Sequence, residues 1–167
     1  MIYLGGTELD FRALFEAMPA SYVVLDPDLV IVAVSDHFLR DTMSTRQQIL
    51  GHVIFDVFPD NPDDVHATGT GNLRASLDRV CRDHVPDGMA VQKYDVRRPQ
   101  AEGGEFEVRY WSAVSTPVTA PDGQLIYILI QTQDVTKYVR LQAREAGHLE
   151  LIARLRERTQ NMEANRA

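Results

Sequence analysis

One boundary constrains this chain more than any other feature. All eight prolines fall at or before Pro121, and nine of the ten glycines fall before Asp134. Beyond Asp134, the segment 135–167 has no proline, one glycine (Gly147) and an abundance of Leu, Ala, Arg, Glu and Gln. Proline breaks helices and sheet ladders alike, and a glycine inside a helix costs about 1 kcal/mol relative to alanine. A stretch freed of both and filled with strong helix formers can run as one long helix. The turn-punctuated segment before it cannot. Three parts are therefore expected: an N-terminal cap helix in residues 1–20, a globular domain in 21–134 and a long helix in 135–167.

Charge changes at the same point. The segment 135–167 carries seven basic and four acidic side chains, a balance of +3. The segment 1–134 carries 10 basic and 20 acidic, a balance of −10, and the two give the net −7 of the chain. An acidic domain surface argues against nucleic acid as a partner. The apolar content, 44%, is that of a globular chain rather than a disordered one. No apolar run approaches the length of a membrane span, and the N-terminus has no basic-then-apolar leader. Neither a transmembrane helix nor a signal peptide is therefore expected. The lone cysteine, Cys81, excludes an internal disulfide and a cysteine-built zinc site, and a cytoplasmic setting is expected.

Within the acidic part, Asp10 is placed to cap a short helix over 11–18, stopped by Pro19. Two β-branched runs, 21–25 and 29–34, flank the turn Asp26-Pro27-Asp28 and read as a hairpin. Ser35 or Asp36 starts a helix, and Ser44 starts another over 45–50 that Gly51 closes. Leu73, Leu77, Val80, Cys81 and His84 recur at helical spacing over 72–84. Strands are expected over 89–97, 105–118 and 124–133, the last two joined by the turn Pro121-Asp122-Gly123. Short links make these three strands antiparallel. The fold class is α+β, a five-stranded antiparallel sheet with helices on one face, an N-terminal helix and a long C-terminal helix.

That order of elements resembles a PAS domain over residues 10–136. The residues that carry the resemblance are Ser21-Tyr22-Val23-Val24-Leu25-Asp26 with the helix start Ser35-Asp36-His37-Phe38, and the stretch Leu50-Gly51-His52 through Phe58-Pro59. Tyr110-Trp111 on the penultimate strand and the junction Asp134-Val135-Thr136 complete the set. The segment 55–98 is further similar to a subgroup found in bacterial sensor kinases. The resemblance implies a sensor module whose last strand couples to an output helix, feeding an effector such as a histidine kinase. It implies no particular ligand, because folds of this kind differ in what they bind.

Cofactor chemistry is weighed against that family. Flavin adduct formation needs a cysteine within a GxNCRFLQ stretch, and Cys81 lacks those neighbours, so no flavin is expected. Haem through His84 is the alternative, since imidazole is a competent axial ligand. Against it, a histidine near a helix C-terminus is also what the helix dipole favours. The acidic loop Asp60, Asn61, Asp63, Asp64 and His66 lacks the spacing of a calcium loop, and no metal site or catalytic constellation is expected. The chain is therefore not read as an enzyme.

A cavity on the inner sheet face is the expected site. Its candidate lining is Gln92, Tyr94, Tyr110, Ser112, Thr116, Ile128, Ile130 and Thr132, with Leu77 and Cys81 from the facing helix. Val114 and Ile126 share that expected parity, which puts Trp111, Arg109 and Ala113 on the outer face. Asp134, Thr136 and Arg109 form the expected signal junction, with Arg109 available to pair with Asp134. Phe11, Leu14, Phe15 and Trp111 on the domain, and Leu141, Leu149, Ile152 and Leu155 on the helix, are the candidate homodimer contacts. Leu141, His148, Leu155 and Met162 recur every seven residues beside Tyr138, Glu145, Ile152 and Thr159, a mixed coiled-coil seam. The expected function is sensing and dimerisation with transmission through that helix, in what reads as a piece of a longer protein. The alternative is a ligand-free assembly module.

Overall fold

The computed structural model describes residues 3–4 and 7–164, with side chains described for 9–155. The chain divides into two compact units, residues 1–134 and 135–167. The expected seam positions Thr159 and Met162 lie outside the described side chains.

In the first unit the N-terminal segment is more than a helix. Tyr3–Leu4 pairs with Thr7–Glu8 as a two-residue antiparallel ladder before helix α1, Phe11–Glu16. Asp10 caps α1 by accepting from the Ala13 N–H at 2.9 Å. Strands β1 (Ser21–Leu25) and β2 (Ile31–Val34) form the hairpin. Asp26 closes its turn, one carboxylate oxygen accepting from the N–H groups of Asp28 and Val30 at 3.0 and 2.9 Å. Short helices α2 (Asp36–Asp41), α3 (Arg46–Ile49) and α4 (Ile54–Val57) follow, then the longer α5 (Gly69–Asp83). Strands β3 (Asp87–Lys93), β4 (Tyr110–Thr119) and β5 (Leu125–Asp134) complete the unit.

Ser35 is the hub of the first half. Its hydroxyl is fully buried, accepts from the N–H groups of Tyr22 and Phe38 at 3.0 and 3.2 Å, and donates to the Ala20 carbonyl at 2.9 Å. One side chain thus caps α2 and fixes α2 to β1.

The sheet order is β2-β1-β5-β4-β3, every neighbouring pair antiparallel. Helices cover one face through Phe38, Ile49, Ile54, Leu73, Leu77 and Val80. At its far edge, Ser76 donates to Asp87 at 2.6 Å and Arg79 makes a two-bond ion pair with it at 2.7 and 2.8 Å. These contacts tie α5 to the start of β3.

Register reverses the parity expected for β4. Ala113 lies opposite Thr132, Ser115 opposite Ile130 and Pro117 opposite Ile128. Directly opposed residues share a face. Because Ile128 and Ile130 are buried in the core, Trp111, Ala113 and Ser115 face inward with them. Tyr110, Ser112, Val114 and Thr116 therefore point the other way, and Trp111 is buried rather than presented to a partner. Ile126 also departs from its expected place. A shift in the β4–β5 ladder between Val118 and Thr119 makes it the extra residue, so Leu125 is buried and Ile126 is exposed. The strands expected over 89–97 and 105–118 are each interrupted. Beyond Lys93 the chain leaves the sheet, and Val96–Arg97 pairs instead with Phe106–Glu107 in a separate two-residue ladder.

Of the expected dimer contacts on α1, Phe11 and Leu14 are exposed, whereas Phe15 is partly buried with its ring 6.4 Å from that of Tyr22. The second unit is one helix, α6, Thr136–Ala164. It leaves Tyr138, Leu141, Leu149, Ile152 and Leu155 exposed. Among the described residues no helix is long and apolar enough to cross a membrane.

Candidate ligand cavity

Between the inner sheet face and the helices lies a cavity of about 70 Å³. The sheet supplies Val23, Trp111, Ala113, Ile130 and Thr132; the helical side supplies Phe38, Thr42, Ile54, Phe58 and Leu73. Gln92, Tyr94, Asp95 and Val96, where the chain leaves β3, close one wall. Phe38 and Phe58 meet edge to face, ring centres 5.8 Å apart.

Most polar groups around this cavity are bonded within the protein. The Tyr94 hydroxyl donates to the Phe58 carbonyl, and burial followed by the charge of Asp60 pushes that phenol well above its ordinary range. The Trp111 indole donates to the Tyr94 carbonyl at 2.8 Å. Thr42 donates to the Phe38 carbonyl at 2.7 Å, and Thr132 donates to the Ser21 hydroxyl at 2.9 Å. Among the described residues, two buried acceptors on the lining have no partner: Gln92 Oε1 and Asp95 Oδ1. The other Asp95 oxygen accepts from the Asn61 amide at 2.9 Å and lies 3.4 Å from Lys93 Nζ. Buried polar atoms without partners are uncommon and call for an explanation.

Glycine makes room for Tyr94. A Cβ on Gly69, the first residue of α5, would sit 2.6 Å from the Tyr94 Cγ. Only a hydrogen at that position lets the ring pack this close to the helix.

Of the residues expected to line the site, Gln92, Tyr94, Ile130 and Thr132 do so. Ile128 and Leu77 are fully buried in the core away from the cavity. Cys81 is half-buried against that core, and burial, then Asp78, pushes its thiol up. Tyr110, Ser112 and Thr116 lie on the opposite sheet face. Trp111, Phe38, Phe58 and Asp95 join the lining beyond what alternation along the strands suggests. The Asp95 position carries no signal of this in the sequence, since Asp95 alternates with Lys93 and Arg97 as an outward residue of a strand would. His84 does not lie on the apolar face of α5; it is exposed, ends the helix with φ of 51° and lies outside the cavity lining.

The acidic loop is occupied by its own contacts. Asp60 accepts from the Thr70 N–H and hydroxyl, Asp64 pairs with Lys93, and Asn61 donates to Asp95. Among the described residues no cluster of His, Cys, Asp and Glu is arranged to hold a metal.

The last strand ends in an ion-pair chain. Arg98 pairs with Glu107 at 2.7 Å, Glu107 with Arg109 at 2.8 Å, and Arg109 with Asp134. Arg98, and then Arg109, hold the Glu107 carboxyl below its usual range. This chain adjoins the cavity wall. The Tyr94 N–H donates to the Arg109 carbonyl at 3.0 Å, and Trp111 lies directly opposite Asp134 in the sheet. Thr136 is the first residue of α6, two positions after Asp134.

A protein-family model described as PAS fold matches residues 15–140. No curated protein matches the chain. Solved structures share the fold at low identity. The PAS domain of a protein from Colwellia psychrerythraea aligns with a TM-score of 0.56 at 13% identity, covering 75% of this chain and 93% of that one. The PAS domain of Bordetella pertussis BvgS gives 0.55 at 18%, covering 83% and 93%. A LOV protein of Rhodobacter sphaeroides gives 0.57 at 19%, covering 82% and 72%.

Proposed function

This chain belongs to the PAS-fold family, and on that premise we propose that it is a sensing and dimerisation module that transmits a change in its cavity to its C-terminal helix. A small ligand enters between the sheet and α5, and α6 pairs with a second copy of the chain. The altered pairing reaches an effector such as a histidine kinase. One observation carries this reading. Two of the aromatic residues that wall the cavity, Tyr94 and Trp111, are backbone or ladder partners of Arg109 and Asp134, and Asp134 ends the strand that leads into α6. Displacing either aromatic strains the ion pair at the end of β5. The site and the helix then bias one two-state element, which is the physical content of coupling.

A second reading, assembly without a ligand, draws support from the small volume of the cavity and from the exposed Leu141, Leu149, Ile152 and Leu155. Hydrogen exchange separates the two. Cavity occupancy should change amide protection over the segment 135–155, and Asp134→Ala should abolish that change while leaving binding intact. Transmission through this junction is refuted if Asp134→Ala responds like the parent chain. The assembly reading is favoured if sedimentation shows a dimer and no metabolite in a broad panel alters protection.

A further inference from the structure

We propose that the cavity selects a small organic ammonium ion, a primary or secondary amine of a few carbons whose N–H groups are taken by Asp95 and Gln92. The inference rests on the ligand-sensing reading above and adds the chemistry of the ligand.

The unpartnered polar atoms on the cavity's lining residues are, among the described residues, of one kind. Asp95 Oδ1 and Gln92 Oε1 are both acceptors, and Asp95 is more than nine-tenths buried. The donors that could have greeted an anion are already engaged: the Tyr94 hydroxyl by Phe58, the Trp111 indole by Tyr94, the Thr132 hydroxyl by Ser21, the Thr42 hydroxyl by Phe38 and, more weakly, the Gln92 amide N–H group by the Met89 sulfur at 3.8 Å. A carboxylate or phosphate ligand would meet lone pairs and apolar carbon. An ammonium ion would meet a carboxylate oxygen, an amide oxygen and aromatic rings, which attract cations through their faces.

Lys93 does not remove this preference. It lies by the other Asp95 oxygen, at 3.4 Å, and is shared with Asp64. The balance of −10 over the segment 1–134 favours cations over anions at longer range. Size follows from volume. An engineered cavity of about 150 Å³ holds benzene with its six heavy atoms. A cavity of about 70 Å³ therefore suits an amine of about three or four heavy atoms.

Trp111 is the only tryptophan and lines the cavity, so its emission reports occupancy. The full chain is titrated at constant ionic strength with n-propylammonium, n-propanol and propionate, with amide chemical shifts recorded in parallel. Propylammonium should give a saturable shift in Trp111 emission and move amides over 92–96 and 111–113. Propionate should give neither. Asp95→Asn keeps the shape of the side chain and an oxygen for the Asn61 amide, and should weaken propylammonium by about tenfold or more. Gln92→Met tests the second acceptor independently and should weaken it less. The amine assignment is overturned if propionate or propanol binds as tightly as propylammonium, an outcome that leaves the ligand-sensing reading intact. It is also overturned if Asp95→Asn binds propylammonium unchanged. If none of the three is bound, the amine assignment falls whatever else a wider panel finds; if that panel also finds nothing, the sensing reading falls with it.

Discussion

Replacing Gly69 by alanine sets two physical effects against each other at the wall of the cavity. Alanine is the better helix former, by about 1 kcal/mol in a helix interior and less in a first turn. The new methyl group would stand 2.6 Å from Cγ and 2.7 Å from Cδ2 of Tyr94, where ordinary contacts begin near 3.4 Å. The ring must retreat by the better part of an ångström. It cannot do so freely, because its hydroxyl is bonded to the Phe58 carbonyl and its own carbonyl to the Trp111 indole. Overpacking of this kind costs about 1–3 kcal/mol. The net expectation is a loss of about 1–2 kcal/mol, which for a domain of this size lowers Tm by about 3–8 °C. Urea denaturation followed by Trp111 fluorescence measures the loss, and the native-state emission should shift as well, since Tyr94 and Trp111 are bonded. In a Tyr94→Ala background the same substitution should lose its cost, because the atoms it meets are gone. Equal or greater stability of Gly69→Ala would refute the reasoning, as it would mean that helix propensity outweighs the contact and that Tyr94 is not held in place.

Single side chains carry the other expectations. Ser35→Ala removes a buried hydroxyl that serves two N–H groups and one carbonyl, so it should cost about 2–3 kcal/mol in urea denaturation, where an ordinary helix cap costs about 1 kcal/mol. Asp87 is held at about 2, below its ordinary 3.8, by Arg79 first and Ser76 second. Because its folded value is depressed, its contribution is complete above about pH 4 and is lost as pH falls through about 2. Asp87→Asn should be less stable than the parent by about 1–2 kcal/mol at neutral pH, a figure discounted because Arg79 is half exposed. That gap should close in acid; a gap independent of pH would rule out the ion pair as its source.

Features that depend on neighbouring atoms are legible in the sequence. Proline and glycine act on the backbone where they stand, so the change at Asp134 marks the end of the sheet and the start of α6 without reference to anything distant. The caps at Asp10 and Ser35, and the turn at Asp26, likewise depend on atoms a few residues apart. The PAS fold and its five-stranded antiparallel sheet are legible for the same reason, as an order of such local features.

The faces of β4 are not, because alternation has a period of two and leaves parity open. Tyr110, Ser112 and Thr116 make as plausible an inner face as Trp111, Ala113 and Ser115 when read alone. Only pairing with Ile128 and Ile130 across the sheet decides between them, and that pairing brings Trp111 into the cavity. The ladder shift beside Thr119 then exchanges Ile126 for Leu125. Asp95 enters the wall because the chain leaves the sheet after Lys93, where a local alternation rule no longer applies. The sequence by itself determined the order of hairpin, helices and closing strands and the boundary at Asp134, since those choices are local, but not the ladder at 3–4 and 7–8 or the breaks in the strands expected over 89–97 and 105–118. The tertiary structure alone decided which side chains share the cavity, since that depends on register between segments far apart along the chain.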